Sequence, residues 1–242
     1  MYEQRVEEIA TLRILLLGDP GVGKTSLSNL LASEISESAQ QSTGSDWWTV
    51  KVGLHECPCN KYKPPTPKFP TPPWTSSSSN SSNMSTCNDT CDNLYFIELY
   101  ELTSNALRCP EKRRLLYRSV DGIILIYNMM DMTSHDNLHD WLNEPLRYSK
   151  KPRLCGHRRR ELSRSRDLSH VPMLVVGTRV DLLTSRRLRR AGGIADQCEA
   201  EELFLNCLDA SSMAPDSRNF AKVRRFYNKV IDYKATLKSR CY

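Results

Sequence analysis

Gly18-Asp19-Pro20-Gly21-Val22-Gly23-Lys24-Thr25 is the stretch on which the reading of this chain turns. Its spacing, Gly-x-x-x-x-Gly-Lys-Thr, lets backbone N–H groups converge on phosphate oxygens at the start of a helix. In such a loop Lys24 reaches the β- and γ-phosphates and the Thr25 hydroxyl ligates Mg²⁺. Pro20 has no N–H, so it shapes the loop without donating to it. A glycine turn can match this pattern by chance, and the flanks decide. Leu12 to Leu17 is an apolar run broken only by Arg13, which reads as a buried parallel strand. Beyond the loop, Leu27, Leu30 and Leu31 recur at helical spacing. Strand, glycine loop and helix therefore arrive in the order a phosphate cradle requires. Phosphate contacts are expected from Asp19, Gly21, Val22, Gly23, Lys24, Thr25 and Ser26.

Outward from the loop, further apolar runs occur at Leu94 to Tyr100, Gly122 to Tyr127, Met173 to Gly177 and Leu203 to Cys207, with helical segments such as Asn137 to Leu146 between them. That alternation predicts an α/β fold of the P-loop NTPase kind, a mostly parallel open sheet flanked by helices. The clearest helix is the last, with Phe220, Val223, Tyr227, Val230 and Ile231 on one face and Lys222, Arg225, Asn228 and Lys229 on another. At 242 residues the chain reads as one globular domain carrying inserted material. Residues 60–93 hold Pro64, Pro65, Pro67, Pro70, Pro72 and Pro73, then Ser76 to Ser79 and a polar tract, a composition too poor in apolar groups to fold. We read them as a disordered insertion between two strands, and the Arg/Ser-rich residues 149–170 as a second, basic loop.

Arginine clusters at Arg158 to Arg160, Arg164, Arg166 and Arg186 to Arg190 account for much of the net charge of +6. A solvated basic loop explains them without nucleic acid. No run approaches a secretory hydrophobic region or a membrane span. Nine cysteines without a regular framework fit a reducing compartment, so a cytoplasmic location is expected and the sequons at Asn80, Asn83 and Asn88 stay idle. Cys57, Cys59, Cys87 and Cys91 bracket the first insertion and would bring four thiols to a hairpin root. Their spacing matches no common structural-zinc signature, and zinc is not expected there.

The nucleotide is addressed by Thr178-Arg179-Val180-Asp181, directly after the strand Leu174 to Gly177 and so at a strand's carboxyl end. A carboxylate there, Asp181, accepts from the N1–H and exocyclic amine of guanine, a donor pair that adenine lacks. Here the chain resembles the Ras-superfamily small GTPases, whose base-reading motif is Asn/Thr-Lys-x-Asp. Arg179 replaces the lysine and would cover the purine with its planar group. Asp209-Ala210-Ser211 sits where the superfamily has Ser-Ala-Lys, and Ala210 would meet the guanine oxygen with its N–H. Trp48-Thr49-Val50, Tyr95-Phe96-Ile97-Glu98-Leu99, Gly122-Ile123-Ile124, Val176-Gly177-Thr178 and Phe226-Tyr227-Asn228-Lys229-Val230-Ile231 are closely similar to strings of the Rab-like protein three family. The resemblance covers the chain outside the insertions. It implies GTP/GDP and Mg²⁺ as ligands, with Thr25 and Thr49 (in switch I) on the metal, and effector or regulatory proteins in signalling or intracellular trafficking as partners. It also raises homodimerisation through the switch surface.

Switch II departs from the superfamily. Its Asp-x-x-Gly maps onto Glu101-Leu102-Thr103-Ser104, and its water-orienting glutamine onto Asn105. No catalytic residue is assigned on the sequence. Two readings stand: a switch that hydrolyses GTP slowly, and a nucleotide-stabilised interaction scaffold without useful turnover. An ATP-using kinase is disfavoured, because no lid-like arginine motif accompanies Asp181. The C-terminal Ser239-Arg240-Cys241-Tyr242 offers no prenylation box and Tyr2 excludes N-myristoylation, so no intrinsic lipid anchor is expected.

Overall fold

A computed structural model describes residues 9–32, 46–57, 93–148, 171–183 and 193–239. In chain order these form β1 (Ala10–Leu17), α1 (Lys24–Ala32), β2 (Trp48–Cys57), β3 (Asn93–Leu102), α2 (Ser104–Arg108), α3 (Pro110–Ser119), β4 (Gly122–Asn128), α4 (Met132–Asp136), α5 (Leu138–Tyr148), β5 (Met173–Thr178), α6 (Ile194–Gln197), β6 (Glu201–Leu205) and α7 (Arg218–Ser239). Two 3₁₀ turns, Val180–Leu182 and Ala210–Met213, follow β5 and β6.

The apolar runs become the inner strands because a parallel strand covered on both faces can hold no charge on either. β4 and β5 are buried from end to end except for Asn128, and the sheet order is β2-β3-β1-β4-β5-β6. All neighbours are parallel save β2, which runs antiparallel to β3 with Trp48 opposite Leu102 and Cys57 opposite Asn93. Alternate residues of β1 serve opposite faces. Leu12, Ile14 and Leu16 pack with α1 and α7 residues such as Leu27, Phe226 and Val230. Leu15 and Leu17 pack with Leu116 of α3 and with Leu138 and Leu142 of α5. This is the expected α/β fold, and it sets the carboxyl ends of β1, β5 and β6 along one edge where the loops of interest begin.

Boundaries move at β3 and at β6. Asn93, assigned on composition to the insertion, opens β3 because the antiparallel register with Cys57 captures it. The rest of 60–93 and all of 149–170 lie outside the described residues. The strand expected at Leu203 to Cys207 runs instead from Glu201 to Leu205, since pairing with Leu174 to Thr178 ends at Leu205 and Cys207 falls in the turn beyond. In α7, the half-buried Asn228 accepts through Oδ1 from Nε2 of the buried His55 at 3.1 Å.

Candidate nucleotide-binding site

Three glycines let the loop after β1 fold back on itself: Gly18, Gly21 and Gly23 have φ of 148°, 77° and 101°. The turn draws Lys24, the first residue of α1, over its own loop. Its Nζ donates to the carbonyls of Gly18 at 3.0 Å and Asp19 at 2.8 Å. An ammonium has three donors, so this geometry fixes two and leaves the third for an incoming phosphate oxygen. Burial lowers the pKa of Lys24, and the charges of Glu101 and Asp19 work against that loss. The first turn of α1 forms directly behind, with Leu27 N donating to Gly23 O at 2.9 Å. Val22 is buried, Ser26 is half-buried, and Gly21 and Thr25 are exposed.

Thr25 does not stand alone. Its Oγ1 donates to Glu101 Oε2 at 2.8 Å, near the end of β3. Thr49 faces the same place from the neighbouring strand, since the antiparallel register sets it directly opposite Glu101 and such a pair shares a face of the sheet. The Thr25 hydroxyl and the Glu101 carboxylate therefore meet, with Thr49 at the strand position opposite Glu101, and such oxygen groups are the kind Mg²⁺ prefers. The next residues leave the sheet. Thr103 caps α2, its Oγ1 accepting from Ala106 N, and Ser104 and Asn105 are exposed in that short helix.

The loop after β5 reaches back to the first one. Thr178 is buried, and the single hydrogen of its Oγ1 lies between Val22 O at 2.6 Å and Tyr127 O at 3.0 Å, which links β5 to the phosphate loop and to β4. Arg179 adopts a left-handed backbone, φ 59° and ψ 37°, and its Nη2 donates to Gly21 O at 2.8 Å. That contact swings the guanidinium across the glycine loop and leaves Asp181 exposed in the following 3₁₀ turn. The loop after β6 approaches from the other side. The thiol of Cys207 is pushed up to about 11, first by burial and then by the charge of Asp181, so the two loops are neighbours. Ala210 begins the second 3₁₀ turn, which Asp209 caps by accepting from Ser211 N. The sequence-assigned residues of all three loops thus lie on one edge of the sheet.

Sequence reasoning missed the far side of the phosphate loop. Asp19 Oδ1 accepts from Trp141 Nε1 at 2.6 Å, and Asp19 Oδ2 from Asn137 Nδ2 at 2.8 Å. Both donors belong to α5 or the residue before it. Their sequence signal is faint, since Trp141 sits on the apolar stripe of an amphipathic helix and reads as packing. Of the four cysteines at the hairpin root, Cys57 is buried at the end of β2 and the other three lie outside the described residues. Among the described residues no group of three or more His, Cys, Asp and Glu side chains gathers to hold a metal. No helix there is long and apolar enough to cross a membrane.

The chain is 30% identical over 229 residues to a Mus musculus protein named Rab-like protein 3, a match covering 91% of this chain and 84% of that protein. The Xenopus tropicalis protein of the same name is 29% identical over 233 residues, covering 91% and 85%. The chain belongs to the Rab-like protein 3 family. A more distant likeness, 22% over 172 residues, links it to Ras-related protein Rab7 of Pisum sativum. No family model matches the sequence. The Rab-like protein 3 matches take in most of this chain, whereas the Rab7 match takes in 71% of it.

Proposed function

We propose that this member of the Rab-like protein 3 family binds GTP and GDP with Mg²⁺, hydrolyses GTP slowly, and serves as a signalling or trafficking regulator through protein partners. The observation that carries this reading is the pair of bonds from Thr178 and Arg179 to the carbonyls of Val22 and Gly21. They tie the loop that would read the base to the loop that would hold the phosphates, at the edge where open α/β sheets take ligands. Gly21, Val22, Gly23, Lys24, Thr25 and Ser26 would hold the phosphates, Thr25 and Thr49 the metal. Held by Thr25 and Thr49, Mg²⁺ would supply positive charge against that of the phosphates. Arg179 would lie along the purine, Asp181 would accept from its donor edge, and Ala210 N–H would meet the guanine oxygen.

Displacement of a fluorescent GDP analogue tests the reading. GTP should compete at least a hundredfold better than ATP, because a carboxylate facing an acceptor on adenine is left unpaired at a cost of about 3 kcal/mol. Asp181→Asn should narrow that gap. Equal competition by ATP and GTP rules the guanine reading out.

A second reading, a nucleotide-stabilised scaffold without turnover, draws on Glu101, Ser104 and Asn105, which replace the aspartate, glycine and glutamine of the superfamily's switch II. Single-turnover conversion of bound GTP separates the two: measurable GDP formation supports the slow enzyme, and none supports the scaffold.

A further inference from the structure

Asp19 poses a problem that the proposed function does not solve. It lies inside a loop built to receive phosphates, and its carboxylate has the wrong sign for that company. A free carboxylate there would repel the ligand, or would compete with it for the ammonium of Lys24, which already feels the charge of Asp19. The structure shows how that carboxylate is occupied. One oxygen accepts from Trp141 Nε1 at 2.6 Å and the other from Asn137 Nδ2 at 2.8 Å, while the backbone carbonyl of the same residue accepts from Lys24 Nζ at 2.8 Å. Side chain and main chain of Asp19 therefore pull in different directions, the acid toward α5 and the carbonyl toward the lysine.

We propose that Trp141 and Asn137 are positioning residues for nucleotide binding: by clamping the Asp19 carboxylate against α5 they keep it off Lys24 and hold the Asp19 carbonyl where it aims the ammonium at the phosphates. Neither residue needs to touch the ligand. The clamp is built from a rigid donor, since an indole N–H on a half-buried ring has little freedom, and a short amide one helical turn away. Both bonds go to a charged acceptor, the stronger class of hydrogen bond. The base of the clamp is fixed too, because Leu138 and Leu142 on either side of Trp141 are buried in the core. The inference rests on the phosphate-binding reading and adds to it a role for Trp141 of α5 and for Asn137, the residue before that helix.

A double-mutant cycle tests it. Dissociation of a methylanthraniloyl-GDP complex is timed, in excess GDP and Mg²⁺, for the full chain, Trp141→Phe, Asp19→Ala and the double variant. Phenylalanine keeps a ring on the apolar stripe and removes only the donor. Trp141→Phe should speed release about tenfold, as expected for loss of one bond to a charged group. In the Asp19→Ala background the same substitution should change the rate less than twofold, since no carboxylate remains to escape. Asn137→Ala should behave in the same way, and thermal unfolding of the nucleotide-free proteins shows whether either variant loosens the fold instead. Equal acceleration by Trp141→Phe in both backgrounds, or none in the first, overturns the clamp. Failure of the unaltered chain to bind the analogue overturns the guanine reading and the clamp together, so the two failures are distinguishable.

Discussion

Thr25 Oγ1 donates to Glu101 Oε2 across 2.8 Å and so joins the first turn of α1 to the end of β3. The superfamily places an aspartate at this point, and glutamate is one methylene longer. The bond shows that the longer side chain reaches the threonine all the same. If Thr25 takes the Mg²⁺ as proposed, a carboxylate beside its hydroxyl would steady both the hydroxyl and the cation. Glu101→Gln keeps the length and removes the charge. It should raise the Mg²⁺ concentration needed to retain GDP about tenfold, an estimate scaled from the difference between charged and neutral hydrogen bonds. A Mg²⁺ titration of GDP release checks this, and an unchanged midpoint would mean that Glu101 holds only the protein.

The glycines of the loop should respond unequally to alanine. A Cβ on Gly18 would lie 2.0 Å from the carbonyl oxygen of Ile126, which is backbone of the central strand β4 and has nowhere to go. A Cβ on Gly21 meets nothing within 4 Å, so only its left-handed φ of 77° resists the change. Gly18→Ala should cost more than about 3 kcal/mol and Gly21→Ala only about 1 kcal/mol. Thermal unfolding of the nucleotide-free protein separates the two effects. Similar shifts for both would contradict the close approach of the loop to β4.

What the sequence revealed and what it hid divide along physical lines. The strands at Gly122 to Tyr127 and Met173 to Gly177 were legible because burial on both faces demands unbroken apolar runs. The glycine loop was legible because its backbone needs fix residue types at fixed offsets. The partners of Asp19 were not, since Asn137 and Trp141 lie 118 and 122 residues away and one indole N–H leaves no periodic trace. The same holds for Arg113, whose guanidinium donates to Glu144 of α5 at 2.8 and 3.1 Å and to the carbonyls of Ala106 and Leu107 in α2. Thr49 was found by resemblance alone; that it stands opposite Glu101 is a matter of strand register, which one sequence does not determine.

His55 should make stability depend on pH. It is buried in β2, edge-on to the ring of Tyr227 at 5.1 Å, with Arg224 and Glu56 as its charged neighbours. Burial lowers its pKa below 6.5, the bond to Asn228 and the charge of Glu56 oppose this, and Arg224 adds to it. In the window between that lowered value and 6.5, the unfolded chain binds a proton that the folded chain refuses. Stability therefore rises with pH through this window, and it is lost as the pH falls below 6.5. His55→Gln keeps a donor for Asn228 and cannot titrate. Urea unfolding from pH 7.5 to 5 should show a steeper fall for the unaltered chain than for the variant, and parallel curves would place the titration elsewhere.

Catalysis is where the geometry demands least of this chain. Hydrolysis needs a water in line with the γ-phosphate, a metal across the β- and γ-oxygens, and a group that steadies the developing charge. In the proposed reading Lys24 and Thr25 would serve part of the second and third tasks. The first falls to α2, where Asn105 stands at the glutamine's position with a side chain one methylene shorter. That helix is not free to bring it closer. Thr103 caps its start, and Arg113 holds its last carbonyls while paired to Glu144, so α2 is pinned to α5. Ser104 lacks the freedom of the glycine it replaces. Intrinsic turnover should be no faster than about 10⁻⁴ per second, at or below the unassisted rate of a Ras-type protein. Asn105→Gln should raise it severalfold by restoring reach, and Arg113→Ala should raise that variant's rate further by freeing α2 to adjust. Single-turnover hydrolysis with Mg²⁺ decides the matter. An unaltered chain that turns over near 10⁻² per second, the rate of proteins carrying their own catalytic arginine, and loses that rate on Lys24→Ala, would show that another residue has taken the glutamine's part.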